Sequence, residues 1–206
     1  MFRIVLLSLA LASPALASPE APLPGLADVK GVAANDILNI RAEPNATSQI
    51  LGTLAPDATE IEIVDFDPSG KWARVSAGEV SGWASGKFLR LRPDTWTAGN
   101  LPPGLRCVGT EPFWSLSTTA DGMRYATPES DPRNLRLRTV TDRGIPQDTT
   151  RALIASDDAG RITALIEPRM CSDGMSDRQF GLGAMLLLED GNTAPRMLGG
   201  CCSIGN

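Results

Sequence analysis

Apolar residues in this chain recur at every second position, in runs too short for helices, and that period restricts the fold more than any other feature. In DILNIR, Asp36 to Arg41, Leu38 and Ile40 fall on one face and Asn39 and Arg41 on the other. TEIEIVD, Thr59 to Asp65, sets Ile61 and Ile63 against Glu60 and Glu62; these two glutamates and Glu79 read as a solvated face. KWARV (Lys71 to Val75) and VSGWA (Val80 to Ala84) are joined by SAGE, a connection of hairpin length. NLRLRTVT, Asn134 to Thr141, alternates Leu135 and Leu137 with Arg136 and Arg138. Arg151 to Ser156 and Arg161 to Glu167 flank the turn DDAG. With 20 glycines and 16 prolines in 206 residues, turns are plentiful and long helices are not expected. The fold class is all-β.

Other stretches break the period and divide the chain. MFRIVLLSLALASPALA, residues 1–17, has an early Arg3, an apolar run and a small-x-small ending at Ala17, the pattern of a signal peptide. Its apolar run is shorter than the roughly 20 residues of a spanning helix, and no later stretch is apolar enough. The mature chain is therefore expected in the periplasm or outside the cell, with no membrane anchor. Residues 18–25 (SPEAPLPG) read as a linker and residues 26–92 as a first unit. Residues 93–105 read as a second linker and residues 106–206 as a second unit holding every cysteine. Five short strands in the first unit have to curl into a small barrel to shield their edges. The second unit reads as an antiparallel barrel or sandwich, with CVGTEPFWSLS, Cys107 to Ser117, as its first strand.

Composition excludes several function classes. The chain has no histidine, which removes Ser-His-Asp and Cys-His catalysis and the usual zinc ligand. The net charge is −5, and its lysines and arginines are dispersed, without the basic stripe of a nucleic-acid binder. Neither a cofactor nor a metal is expected, and the chain reads as non-enzymatic.

Four cysteines in an exported chain point to two disulfides. Cys201 and Cys202 are adjacent, so in a strand they face opposite ways. Cys107 and Cys171 are then each expected to take one of them, in either order. A bridge from Cys107 to this pair closes about 95 residues, worth about 4 kcal/mol in the chain-entropy model. The competing reading is a Cu(I) site of thiolates with Met170, Met175 and Met197, although no regular CxxC or MxxM array supports it. A second sharp reading pairs Glu111 with Asp173 for glycoside hydrolysis, which needs carboxylates about 5–10 Å apart. The plainer alternatives are a strand kink at Glu111-Pro112 and a turn at Asp173-Gly174.

LNIRAEPNATSQILGTL, then a W-A-R-V strand, then GEVSGWASGKFL, resembles the bacterial SH3-like (SH3b) domain. That resemblance implies a small β-barrel that binds cell-wall peptide, peptidoglycan or a protein partner, commonly beside another domain. The second unit, from CxGTEPFW to the terminal GCC, resembles an exported bacterial family without an assigned activity. In expected architecture it is also similar to small envelope barrels, including lysozyme inhibitors. The leading expectation is a two-domain envelope binding protein that contacts its ligand through Asn39, Arg41, Trp72 and Trp83. Those tryptophans have a competing place in the core, and Asn39 and Arg41 a competing role in holding turns. The runner-up is an inhibitor or an envelope-stress or metal sensor that recognises its partner through Glu111, Trp114 and Asp173.

Overall fold

The computed structural model describes residues 21–191 and 193–205. The leader expected at 1–17 and the start of the 18–25 segment lie outside the described residues.

The first unit is a seven-stranded antiparallel sheet. Its strands are β1 (Gly25–Val29), β2 (Leu38–Arg41), β3 (Ile50–Leu54), β4 (Ile61–Phe66), β5 (Trp72–Ala77), β6 (Val80–Ser85) and β7 (Leu89–Leu91). They lie in the order β3-β2-β6-β5-β4-β1-β7. The sheet curls round one core in which Ile40, Ile63, Ala73, Val75 and Ala84 are almost fully buried. These are the inward positions of the alternating runs, so the period of two places them correctly. Two strands carry no such signal. LRL in β7 is too short, and GLADV in β1 is buried on both faces and so does not alternate.

The second unit is a closed barrel of eight antiparallel strands, each paired with the next in sequence. They are β8 (Arg106–Thr110), β9 (Phe113–Thr119), β10 (Gly122–Thr127), β11 (Ser130–Thr141), β12 (Arg151–Ser156), β13 (Gly160–Cys171), β14 (Phe180–Asp190) and β15 (Arg196–Ser203). Closure comes where β15 meets β8, with Cys202 opposite Cys107. The interior is packed with side chains, among them Leu116, Met123, Leu153, Ile162, Leu182 and Leu186. CVGTEPFWSLS is not one strand, as expected, but the hairpin of β8 and β9. Glu111 and Pro112 form its turn, and the bond between them is cis.

The disulfides are Cys107–Cys202 and Cys171–Cys201. Cys202 faces the interior with Cys107, whereas Cys201 points to the outer face of β15, is buried there, and holds the end of β13. Residues 172–179, between β13 and β14, form a strap over the outside of the barrel. The loops closed span 95 and 30 residues, about 4–5 and 3–4 kcal/mol in the chain-entropy model. With all four cysteines bridged, the thiolate set of the copper alternative is absent.

The two units share β1. Ala27 and Val29 belong to the first core, whereas Leu26 is buried in the second. Residues 93–105, expected as a linker, lie against the second barrel. Trp96 and Leu101 pack on its core, Leu105 is inside it, and Trp96 Nε1 donates to Pro24 O at 2.7 Å. The buried guanidinium of Arg151 stacks on Trp96 and donates to the carbonyls of Asn100 and Thr97.

Glu62, read as solvated, is 1% exposed because the second barrel covers this part of β4. Strand alternation reports two faces but not what packs on the outer one. Glu62 Oε1 accepts from the Ile204 N–H at 3.2 Å, and Oε2 lies 3.5 Å from Arg178 of the strap. Arg178 also donates to the Gly78 carbonyl, and Ser76 Oγ donates to Gln179 O.

Burial pushes the Glu62 carboxyl up from 4.5 to about 7, against the pull of Arg178 and the Ile204 N–H. Between those values the folded protein keeps a proton that the unfolded chain has released. Its stability therefore falls as pH rises through that window and this contribution levels off above it. Glu62→Gln, which cannot ionise, is expected to gain stability relative to the parent as pH rises from 5 to 7. Urea denaturation at pH 5, 6, 7 and 8 measures this; a difference independent of pH contradicts it.

Disulfide removal provides a second check. Reducing the chain-closing bridge by Cys107→Ala with Cys202→Ala is expected to cost about 2–5 kcal/mol in denaturant titration. A loss under 1 kcal/mol would show that the β8–β15 ladder closes the barrel unaided.

Candidate functional site

Four strands of the first unit align one residue each in a row across the outer face. Asp65 on β4 is the register partner of Arg74 on β5, Arg74 of Trp83 on β6, and Trp83 of Arg41 on β2. Trp83 is thus flanked by two guanidiniums, and that of Arg74 stacks over its ring at 4.7 Å. Trp72 lies on the same face of β5, two residues from Arg74. Both tryptophans are half-buried on this outer face and neither belongs to the core. Ile50, the register partner of Arg41 on β3, extends the row as an exposed apolar residue, with Leu51 exposed beside it.

Local chemistry holds this face in place. Asp67 Oδ1 accepts from the Trp72 N–H at 2.7 Å and fixes the start of β5. Arg41 Nη1 donates to Ser48 O at 2.7 Å and ties down the turn between β2 and β3. That is the turn-holding role weighed for Arg41, and it leaves the flat of the guanidinium beside Trp83. Asn39 is half-buried on the outer face of β2, two residues from Arg41. Gly82 permits the close crossing of β6 by β2, since a Cβ there would meet Arg41 O at 2.7 Å and Ile40 Cγ2 at 2.8 Å. The sequence singled out Asn39, Arg41, Trp72 and Trp83, and the fold gathers them on one surface. It missed Arg74, whose place two residues after Trp72 in KWARV, on the same strand face, was a readable signal.

The three candidates of the second unit do not form one site. Trp114 is 4% exposed, inside the barrel, where its indole fills the space left by Gly109 and Gly200. Asp173 and Glu111 do line one surface groove of about 420 Å³ beside Cys171 and Cys201. The Asp173 carboxylate, however, is committed to its own loop. It accepts from the N–H groups of Met175 and Ser176 at 3.0 and 2.9 Å and from the Ser176 hydroxyl. The Ser176 N–H above all holds its carboxyl below the usual range. A general acid for glycoside hydrolysis needs the opposite shift. Asp173 is a turn residue, and Glu111, in the β8–β9 turn, is the one exposed member of the three.

Residues 36–90, which carry the tryptophan row, match the family model of the bacterial SH3 domain. No curated protein and no solved structure matches the chain. The kinship expected for the second unit therefore has no support from these comparisons.

The close crossing at Gly82 makes a direct test of this geometry. Gly82→Val is expected to lower stability by about 1–3 kcal/mol through overpacking and to weaken the quenching of Trp83 fluorescence by its neighbours. Denaturant titration followed by tryptophan emission reads both, and an unchanged midpoint would contradict the crossing.

Proposed function

We propose that this protein is a non-enzymatic binding protein of the bacterial envelope and that the tryptophan row of its SH3 domain contacts cell-wall peptide. One observation carries the reading: Trp83 sits between Arg41 and Arg74 on an uncovered sheet face, within the segment that matches the SH3 family. An aromatic surface offers contact area at low entropic cost, and guanidiniums beside it are directional donors for carboxylates. Bacterial SH3 domains commonly bind peptidoglycan or proteins, and a protein partner in the envelope would use the same face. The two disulfides suit an oxidising compartment, the periplasm or the exterior. Among the described residues no helix is long and apolar enough to cross a membrane.

Sedimentation with purified peptidoglycan tests the proposal on the full mature chain. The protein is expected in the pellet, and Trp83→Ala with Trp72→Ala is expected to move most of it to the supernatant at unchanged melting temperature. Equal sedimentation of parent and variant would remove the row from the function.

A further inference from the structure

The two disulfides differ in what can reach them. Cys107 and Cys202 are fully buried in the barrel's core. Cys171–Cys201 lies on the outside: Cys171 is half-buried, and both cysteines of this bridge line the surface groove of about 420 Å³. Thiol–disulfide exchange needs a thiolate to reach a sulfur atom, so access separates one bridge from the other. Arg169, Glu111 and Asp173 line the same groove, and Arg169 is paired in turn with Glu167 at 3.5 Å. With carboxylates outnumbering the guanidinium, the groove does not attract an anionic thiol, and an uncharged reductant meets no such barrier.

What this bridge holds is the strap, residues 172–179. Near its start the strap is anchored by Cys171–Cys201 and by Thr110 Oγ1, which donates to Asp173 O at 3.1 Å. The Asp173 carboxylate bonds only within its own loop. At its far end polar contacts tie the strap to the first unit. Arg178 Nη2 lies 3.5 Å from Glu62 Oε2, Arg178 Nη1 donates to Gly78 O at 3.0 Å, and Ser76 Oγ donates to Gln179 O at 3.2 Å. Ser76 is two residues beyond Arg74 on β5 and so shares its outer face with Arg74 and Trp72. The strap thus bounds the open tryptophan face at one end and is pinned by a reachable disulfide at the other. Leu26 in the barrel core and the Ile204 N–H on Glu62 also join the units, and neither passes through the strap.

We infer that Cys171–Cys201 is a redox-exchangeable bridge, opened by an uncharged dithiol while Cys107–Cys202 stays closed, and that opening it releases the strap from the first unit's sheet. One thiolate of the dithiol attacks Cys171 Sγ, the more exposed sulfur; the S–S bond breaks and Cys201 leaves as a thiolate. The second thiolate then displaces Cys171 from the mixed disulfide. Two electrons pass to the protein, the two protons of the dithiol end on Cys171 and Cys201, and the reductant departs as its own disulfide. The reduced Cys171 has an acceptor in place, Gly200 O at 3.5 Å from Sγ. Once the strap is loose, Glu62 and Ser76 lose its partners, and the open face of β5 extends past Arg74. The units stay joined through Leu26. This switch is independent of which ligand the tryptophan row takes.

Timed reduction of the native full chain with dithiothreitol, quenched by alkylation and read by mass spectrometry, tests the first half. Cys171 and Cys201 are expected to be alkylated at least about tenfold faster than Cys107 and Cys202. Alkylation of all four cysteines at one common rate would overturn the inference. Limited trypsin digestion tests the second half, on the selectively reduced and alkylated protein and on Cys171→Ser with Cys201→Ser. In both, cleavage after Arg178 is expected to be about tenfold faster than in the oxidised parent, because the strap opens more often. Cleavage after Arg143, exposed on the loop between β11 and β12, is expected to be unchanged and reports that the barrel is intact. Equal cleavage after Arg178 in all three proteins, or equal acceleration at Arg143 and Arg178, would show that the bridge does not latch the strap.

Discussion

The structure depends on a strand that belongs to two cores at once. β1 pairs with β4 and β7 of the first unit's sheet, and its Ala27 and Val29 are buried there. Its Leu26 is fully buried against the barrel, beside Leu105 and Ile204. A residue of leucine size gains about 1.5–3 kcal/mol on such burial, and here that gain exists only if both units are folded and docked. The row continues along the same face. Leu26 pairs with Glu62, and Glu62 with Ser76, all three nearly inaccessible, with Glu62 and Ser76 hydrogen-bonded to the barrel.

That docking sorts the outer face of the SH3 sheet into a covered part and a free part. The barrel covers the row from Leu26 to Ser76. Among the described residues the row from Asp65 to Arg41 is left partly exposed, with Trp83 half-buried on it. The same docking brings Glu79 to a cavity that Arg106 of the barrel also lines. The disulfides contribute differently: Cys107–Cys202 closes the barrel from inside, and Cys171–Cys201 fixes the strap that walls the groove.

Much of this was legible in the residues. The alternating runs located most strands, because a half-buried strand writes its burial into its sequence. The adjacent Cys201 and Cys202 implied opposite faces and separate partners, as found. The order of pairing was not legible, since it depends on β15 closing against β8 across 95 residues. β1 escaped because both of its faces are buried. Glu62 looked solvated because its partner surface, the strap and the chain end near Ile204, lies more than a hundred residues away. Trp114 looked available for binding, yet Gly109 and Gly200 reserve an interior slot for it that only the barrel register reveals. The SH3 candidates fared better, because four residues on two short hairpin-like stretches are placed by local pairing.

The claim that β1 ties the two cores together is tested most directly by differential scanning calorimetry of the full chain. A shared β1 predicts a single cooperative transition, with the calorimetric enthalpy equal to the van't Hoff enthalpy. Leu26→Ala is expected to lower the melting temperature of that whole transition. Two separable transitions in the parent protein, only one of them moved by Leu26→Ala, would contradict the account.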